Sequence, residues 1–326
     1  MKLCIVGAGA IGGFLGGRLA LAGHEVSLIA RGPHLEALRR NGLRVIEGQD
    51  DYTVRLLATE NPEEVAAVDA VIVALKAHSL APMVERLRPL LGPGTPVVTA
   101  MNGLPWWYFQ RHGGPWEGTP LQSLDPGGTI TRVIGPERVV GCIVFPSAEI
   151  AAPGVIRHIG GDRFTLGEPD GQKTERVMRI AEAFISAGLK APVRNRIRHE
   201  IWVKLMGNMA FNPLAALTGA TLGQITSDPD SRALAMAVMA EAAAVCGKLG
   251  IELDVSPEQR VEGAAKLASH KPSMLQDLEA GRPLELDSMV GAVLELGRIV
   301  GVDMPRTEAL YAAVKLRWAV RDSARE

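Results

Sequence analysis

Three polar side chains interrupt an otherwise apolar run, Trp202-Val203-Lys204-Leu205-Met206-Gly207-Asn208-Met209-Ala210-Phe211-Asn212-Pro213. Lys204, Asn208 and Asn212 recur every fourth residue, so on a helix they form one stripe that drifts ~40° per step. An ammonium can donate a proton and stabilise developing negative charge. Asparagine offers both a donor and an acceptor, suited to substrate hydroxyl and carbonyl groups. A lysine on such a helix either snorkels to water or is held for chemistry. The two asparagines aligned with it favour chemistry. Pro213 has no N–H and disfavours helical geometry at Asn212, so a kink there is expected to aim Asn212 into a cleft.

A second cluster opens the chain. Gly7-Ala8-Gly9-Ala10-Ile11-Gly12 follows the apolar run Leu3–Val6 and precedes a helical stretch from Phe14 to Ala22. This is strand, glycine turn and helix with G-x-G-x-x-G spacing. Gly7 permits the tight turn, Gly9 lets the backbone approach a pyrophosphate, and Gly12 lets the helix pack close to the strand. The helix N-terminus offers N–H groups and partial positive charge to phosphates. A secretory signal is the competing reading, but glycines at 7, 9, 12, 13, 16 and 17 and the charge of Arg18 make a poor apolar segment.

Other candidates follow strand signals. Arg31 succeeds the strand 25–30, where an NAD site would carry Asp or Glu; a guanidinium there suits the 2′-phosphate of NADP, the alternative being a solvated surface arginine. Lys76 follows the strand 70–74 and Asn102 the strand 96–99, which puts both at strand carboxyl ends beside a cofactor, the alternative for each being a plain loop residue. Later, Ser273 can donate a hydrogen bond to a carboxylate, and Glu285 opens a helix over 285–300; plain helix capping accounts for the same two residues.

The elements that must carry these residues alternate strand and helix through the first part, with a helix expected over 80–91. This implies a doubly wound parallel sheet with right-handed crossovers. Strands are expected at 129–133, 139–145, 154–159 and 163–166, then a helix over 173–187. Beyond the boundary near residue 190 strand signals fade, and 198–217, 229–249, 257–269, 285–300 and 305–320 read as helices. The expected fold class is α/β: a dinucleotide-binding domain over 1–190 and an all-helical substrate and catalytic domain over 191–326. The 326 residues suffice for two domains, and 47% hydrophobic content supports their cores. A net charge of −1 without a long basic run points away from nucleic acid and membrane surfaces. Three dispersed cysteines suggest a reducing compartment, hence a cytoplasmic protein, and seven histidines without HExxH spacing point to no metal site.

Taken together these residues resemble the ketopantoate reductase family. The glycine loop at 7–12, Leu75-Lys76-Ala77, Asn102-Gly103, Lys204 with Asn208 and Asn212-Pro213-Leu214, and Ser273-Met274-Leu275-Gln276-Asp277 twelve residues before Glu285 carry the resemblance along the whole chain. It implies a Rossmann domain, a helical domain and NADPH-dependent reduction of a small 2-oxo acid, 2-dehydropantoate, on the way to pantothenate. By this resemblance Lys204 is the catalytic acid and Glu285 orients substrate or lysine. Ser273 binds the substrate carboxylate, Asn102 serves nicotinamide and substrate, and Asn208 and Asn212 hold substrate groups. Lys76 and Arg31 lie near the cofactor. A homodimer through the helical domain is a further expectation. The chain departs from the family pattern at Met101, where Gln is common, in the region Thr218–Leu222, and in Trp106-Trp107-Tyr108-Phe109. That aromatic segment reads as a packed surface loop or the lining of a pocket for another 2-oxo acid. A β-hydroxyacid dehydrogenase and a non-catalytic nucleotide sensor are the alternatives. The first shares the lysine–asparagine spacing but not Asn212-Pro213, and the second would need neither.

Overall fold

The computed structural model describes residues 1–323. Chain contacts divide it into two compact units, one of Met1–Pro120 with Gly127–Ile197, the other of Leu121–Pro126 with the chain from Arg198 onward.

The first unit opens with β1 (Lys2–Val6), α1 (Ala10–Leu21), β2 (Glu25–Ile29), α2 (Gly32–Asn41), β3 (Leu43–Glu47), β4 (Asp50–Val54), β5 (Leu57–Thr59) and β6 (Ala70–Val73). It continues with α3 (Ala77–Leu80), β7 (Val97–Ala100), α4 (Thr129–Ile134), β8 (Val139–Val144), β9 (Ser147–Ala152), β10 (Val155–Gly160), β11 (Phe164–Gly167) and α5 (Glu175–Ser186). Among the described residues the strands form a seven-stranded sheet, ordered β11-β8-β7-β6-β1-β2-β5, and a four-stranded sheet, β4-β3-β10-β9. The larger sheet is parallel except for β11, which runs antiparallel to β8. Strands β6 and β8 are continuous apolar runs and β7 is broken only by Thr99, with every residue of the three buried, as expected of a sheet covered on both faces.

Helix α1 shows why its sequence carries four glycines, each worth about 1 kcal/mol less than alanine in a helix. A Cβ on Gly16 would meet Leu28 and Ile5 of the parallel sheet at 3.0 and 3.1 Å. A Cβ on Gly13 would stand 2.7 Å from Ile156, and one on Gly17 2.6 Å from Val45, both on the smaller sheet. The i, i+4 pair 12/16 thus faces one sheet and the pair 13/17 the other. The helix is clamped between the two, at distances only glycine permits.

Two expected elements come out differently. The segment 129–133 forms α4 rather than a strand. Gly127 and Gly128 take positive φ and turn the chain, and Ile130, Val133 and Ile134 bury a helical face at i, i+3 and i+4. The expected helix over 80–91 is broken into α3 and a 3₁₀ segment, Val84–Leu90, around Pro82 and Pro89, which cannot donate to the ladder.

The second unit holds α6 (Ile197–Thr218), α7 (Leu222–Ser227), α8 (Pro229–Lys248), α9 (Pro257–Ala265), α10 (Ser273–Ala280), α11 (Ala292–Val300) and α12 (Pro305–Ser323). A π-helical turn, Asp287–Gly291, leads into α11, so the helix expected over 285–300 begins with a widened turn. Gly291 lies against the Tyr311 ring there, and Tyr311 donates to Asp287 at 2.6 Å. The buried carboxylate of Glu241 on α8 accepts from the N–H groups of Arg306 and Thr307 and from the Thr307 hydroxyl, pinning the start of α12. Glu295 similarly accepts from the backbone of Gln122 and Ser123, which ties residues 121–126 to this unit. Among the described residues no helix is long and apolar enough to cross a membrane.

Candidate active site

The first group of candidate residues gathers at one edge of the parallel sheet. The register aligns Val6 of β1 with Ile29 of β2 and Val73 of β6, and Val73 with Thr99 of β7. The segments that follow these four strands carry, in turn, residues 7–12, Arg31, Lys76 and Asn102, so all leave the same carboxyl edge. The chain passes from β1 to β2 on one side and reaches β6 on the other, which makes this the switch point where α/β sheets bind ligands.

The glycine loop has the shape of an anion cradle. Gly7 sits at φ +100°, and a Cβ on Gly12 would fall on the carbonyl oxygen of Gly7, so both are fixed by the turn itself. Gly9 is different, because the space a Cβ would fill there has no protein atom within 4 Å. The N–H groups of Gly7 and Ala8 donate to Ile29 O at 3.1 and 3.2 Å and are spent within the fold. Helix α1 has no side-chain cap and no acid in its first turn, which leaves the N–H groups of Ala10, Ile11 and Gly12 for a ligand. These features fit a dinucleotide diphosphate. Past β2, Ala30 is buried and Arg31 exposed, with no acid in the strand-end position that would hold a ribose 2′-hydroxyl.

The second group lies on α6 and its neighbours. The helix runs continuously through Pro213. Lys204 and Asn208 are half-buried while Leu205, Met206 and Met209 are buried, which leaves a narrow polar stripe on an apolar helix. Asn212, one turn on, is only 4% exposed. Its Oδ1 accepts from the Ser273 hydroxyl at 3.2 Å and from the Met274 N–H at 3.1 Å, and its Nδ2 donates to Asn208 O at 3.1 Å. Helix α10 has Pro272 at its N-cap and no side-chain cap of its own; Asn212 supplies one from α6. Ser273 is thereby tied beside the stripe, with its proton directed to Asn212. Glu285 is buried just before the π-helical turn, and its carbonyl accepts from Met289 N and the Ser288 hydroxyl.

The aromatic segment is packed, as the first of its two readings expects. Trp106, Trp107, Tyr108 and Phe109 are all buried, and Trp107 Nε1 donates to Thr99 Oγ1 at 3.0 Å. Gly141 in β8 makes room for the Trp107 ring, since a Cβ there would stand 2.9 Å from it.

Comparison with known proteins decides the family. The family model described as Ketopantoate reductase PanE/ApbA matches residues 3–106, and the model of its C-terminal part matches residues 196–317. A 2-dehydropantoate 2-reductase of Mesorhizobium japonicum is 52% identical over 97% of each chain. This chain belongs to the ketopantoate reductase family. It is accordingly an oxidoreductase, and the family is dinucleotide-dependent. Among solved structures, a Ralstonia solanacearum protein bearing the provisional name ketopantoate reductase superposes with a TM-score of 0.94 at 44% identity, covering 98% of both chains. D-mandelate dehydrogenase, solved with NADH and anilino(oxo)acetate, shares the fold at a TM-score of 0.84 and 23% identity, over 98% of this chain and 99% of its own.

One residue of this ketopantoate reductase family member escaped the sequence reading. Arg260 on α9 lays its guanidinium against Gly207 of α6, one turn from Lys204. In Pro257-Glu258-Gln259-Arg260-Val261 it looks like any solvated arginine. The available signal was its counterpart, a glycine in the interior of a long helix.

Proposed function

We propose that this reductase converts 2-dehydropantoate to the corresponding 2-hydroxy acid, with NADPH as its cofactor. The observation that most supports the reading is Lys204, a half-buried ammonium with Asn208 one turn away in a helical stretch whose neighbours Leu205, Met206 and Met209 are buried. The Mesorhizobium relative of that name supports the substrate. When bound, NADPH supplies hydride to the ketone carbon. The N–H groups of Ala10, Ile11 and Gly12 would hold the diphosphate, with Gly7, Ala8 and Gly9 shaping the turn beneath it. Arg31 would pair with the 2′-phosphate, and Lys76 and Asn102 would contact the ribose and nicotinamide side from neighbouring strand ends.

Lys204 gives its Nζ proton to the substrate oxygen as charge develops there, and its residual field lowers the barrier. Glu285 keeps that ammonium, or a substrate hydroxyl, in place. Asn208 hydrogen-bonds the substrate. Asn212 holds Ser273 beside the stripe, where its hydroxyl turns to donate to the substrate carboxylate. The test is NADPH oxidation with a panel of 2-oxo acids, with NADH run beside it. Lys204→Ala should bind NADPH as before and lose turnover by ~10²–10⁴-fold. Turnover retained in that variant would overturn the assignment of the acid. A preference for NADH would overturn the role given to Arg31.

A further inference from the structure

Two asparagine–glycine pairs stand in this chain, Asn41-Gly42 and Asn102-Gly103. In such a pair the backbone nitrogen of the second residue can close a five-membered ring on the side-chain amide of the first. Ring closure ends by turning asparagine into an acid, one reason why asparagine is a thermolabile residue. Glycine is the most permissive follower, since it has no Cβ to block the approach and lets the backbone turn. The fold treats the two pairs in opposite ways.

Asn41 is the last residue of α2 and is exposed. The nitrogen that would attack it is spent. Gly42 N donates to Leu38 O at 2.9 Å, the i−4 bond of the helix. Gly42 also lies close on β4, because a Cβ there would stand 2.8 Å from Val54 O. Ring closure at Asn41 must therefore break a helical hydrogen bond and shift a packed residue.

Asn102 lies just past β7, in a bend outside any helix or strand. Met101 N still donates to Thr99 O at 3.0 Å and closes the strand end. Gly103 N donates to no acceptor among the described residues, and Gly103 takes φ +85°. Asn102 is half-buried where Asn41 is exposed, so side-chain exposure ranks the pairs one way and backbone freedom the other. The attacking group is the backbone nitrogen, so its freedom decides.

We propose that Asn102-Gly103 is a self-modification site, which turns the amide at 102 into a carboxylate when the dinucleotide is absent. Gly103 N attacks Asn102 Cγ. The N–Cγ bond forms, the Cγ–Nδ2 bond breaks, and the amide nitrogen leaves as ammonia with the proton of Gly103. Water then opens the succinimide. Attack at Cγ leaves aspartate at 102, and attack at the backbone carbonyl carbon leaves isoaspartate, with one more carbon in the main chain. The proposal rests on the reading above, in which Asn102 contacts the nicotinamide side; that contact holds the amide away from Gly103. Either product sets a negative charge beside an anionic 2-oxo acid, which repels it.

The experiment holds the full-length protein in warm, mildly alkaline buffer and maps its peptides by mass spectrometry. Without cofactor, the peptide holding Asn102 should gain one mass unit and split into aspartate and isoaspartate forms, while the peptide holding Asn41 stays unchanged. NADPH at ~100 times its Kd should slow the gain ~10²-fold, the factor by which the free protein is depleted. Reductase activity in the cofactor-free sample should fall in step with the modified fraction. Asn102→Asp should begin at the fallen level, with kcat/KM for 2-dehydropantoate down ~10²-fold or more. Asn102→Gln, whose amide would have to close a larger ring, should keep its mass. An unmodified Asn102, or an Asn41 modified as fast, overturns the site, as does a mass gain in that peptide that survives N102Q. Modification that proceeds equally in protein saturated with NADPH overturns the protection. If the protein binds no NADPH, the functional reading fails, while the mass of the Asn102 peptide still decides the site.

Discussion

Helices α1 and α6 carry the two groups of candidate residues, and they are built on opposite principles. Helix α1 is defined by what its residues lack. Gly12, Gly13, Gly16 and Gly17 let two sheets close on it, and Gly9 leaves space beside an uncapped N-terminus. Helix α6 is defined by what it carries, a lysine and two asparagines in a stretch, 201–217, that is otherwise apolar. A glycine helix can only be a platform, because its working groups are backbone N–H. A side-chain helix can hold an acid, but each polar group must be positioned by a neighbour. Asn212 and α10 show how this is done, as does the guanidinium laid on Gly207.

The sharpest way to break this comparison lies within α1. Gly12→Ala puts a methyl on the backbone oxygen of Gly7, which has nowhere to go. It should destabilise the protein by about 3 kcal/mol or more, the upper end for overpacking, and lower Tm accordingly. Gly9→Ala meets no protein atom within 4 Å, so Tm should hold. NADPH affinity should instead drop by about 10- to 100-fold, as expected for losing a hydrogen bond to a charged group. Equal Tm losses in the two variants would show that Gly9 is a packing residue, and the distinction between platform and cradle would fail.

A smaller effect tests α6. Asn212→Ala leaves the Met274 N–H and the Ser273 hydroxyl without their acceptor and should cost about 1–3 kcal/mol in chemical denaturation. It should also raise KM more than it lowers kcat, because Ser273 is displaced while Lys204 remains. Asn212→Asp keeps the acceptor and should recover most of the stability. A variant N212A that is fully stable yet inactive would make Asn212 a direct substrate ligand instead.

These contrasts also explain what could be read from the chain alone. The glycine loop was legible because its spacing is itself the constraint. The polar stripe was legible because lysine and asparagine at four-residue intervals stand out in an apolar run. The capping box that opens α7, with Thr221 and Gln224 bonded reciprocally, was written in the chain as T-x-x-Q and went unread. Other features had no local signal. Asn212 bonds a residue 62 positions away, and the burial of Trp107 depends on Thr99 and on a glycine in β8. Residues 129–133 misled because β-branched composition suggested a strand while the apolar positions, at i, i+3 and i+4, followed a helical period.

The gentlest probe compares the two halves through one buried thiol in each. Cys4 lies in β1 and Cys246 in α8, both fully enclosed, and burial pushes each thiol up to about 12 from an ordinary 9.0. Because the folded-state pKa is raised, the resulting stability is complete below about pH 9 and declines as pH rises toward 12, where the unfolded chain is already ionised. Alkaline denaturation should therefore weaken both units, and a Cys4→Ala, Cys246→Ala double variant should flatten its dependence above pH 9. At neutral pH neither thiol should react with a thiol reagent in the native protein, and both should react once it is unfolded. The order of labelling at rising denaturant then decides between the two designs. If the clamped glycine helix makes the first unit the tighter one, Cys246 labels before Cys4. The reverse order would mean that the close sheet contacts around α1 add no resistance to opening.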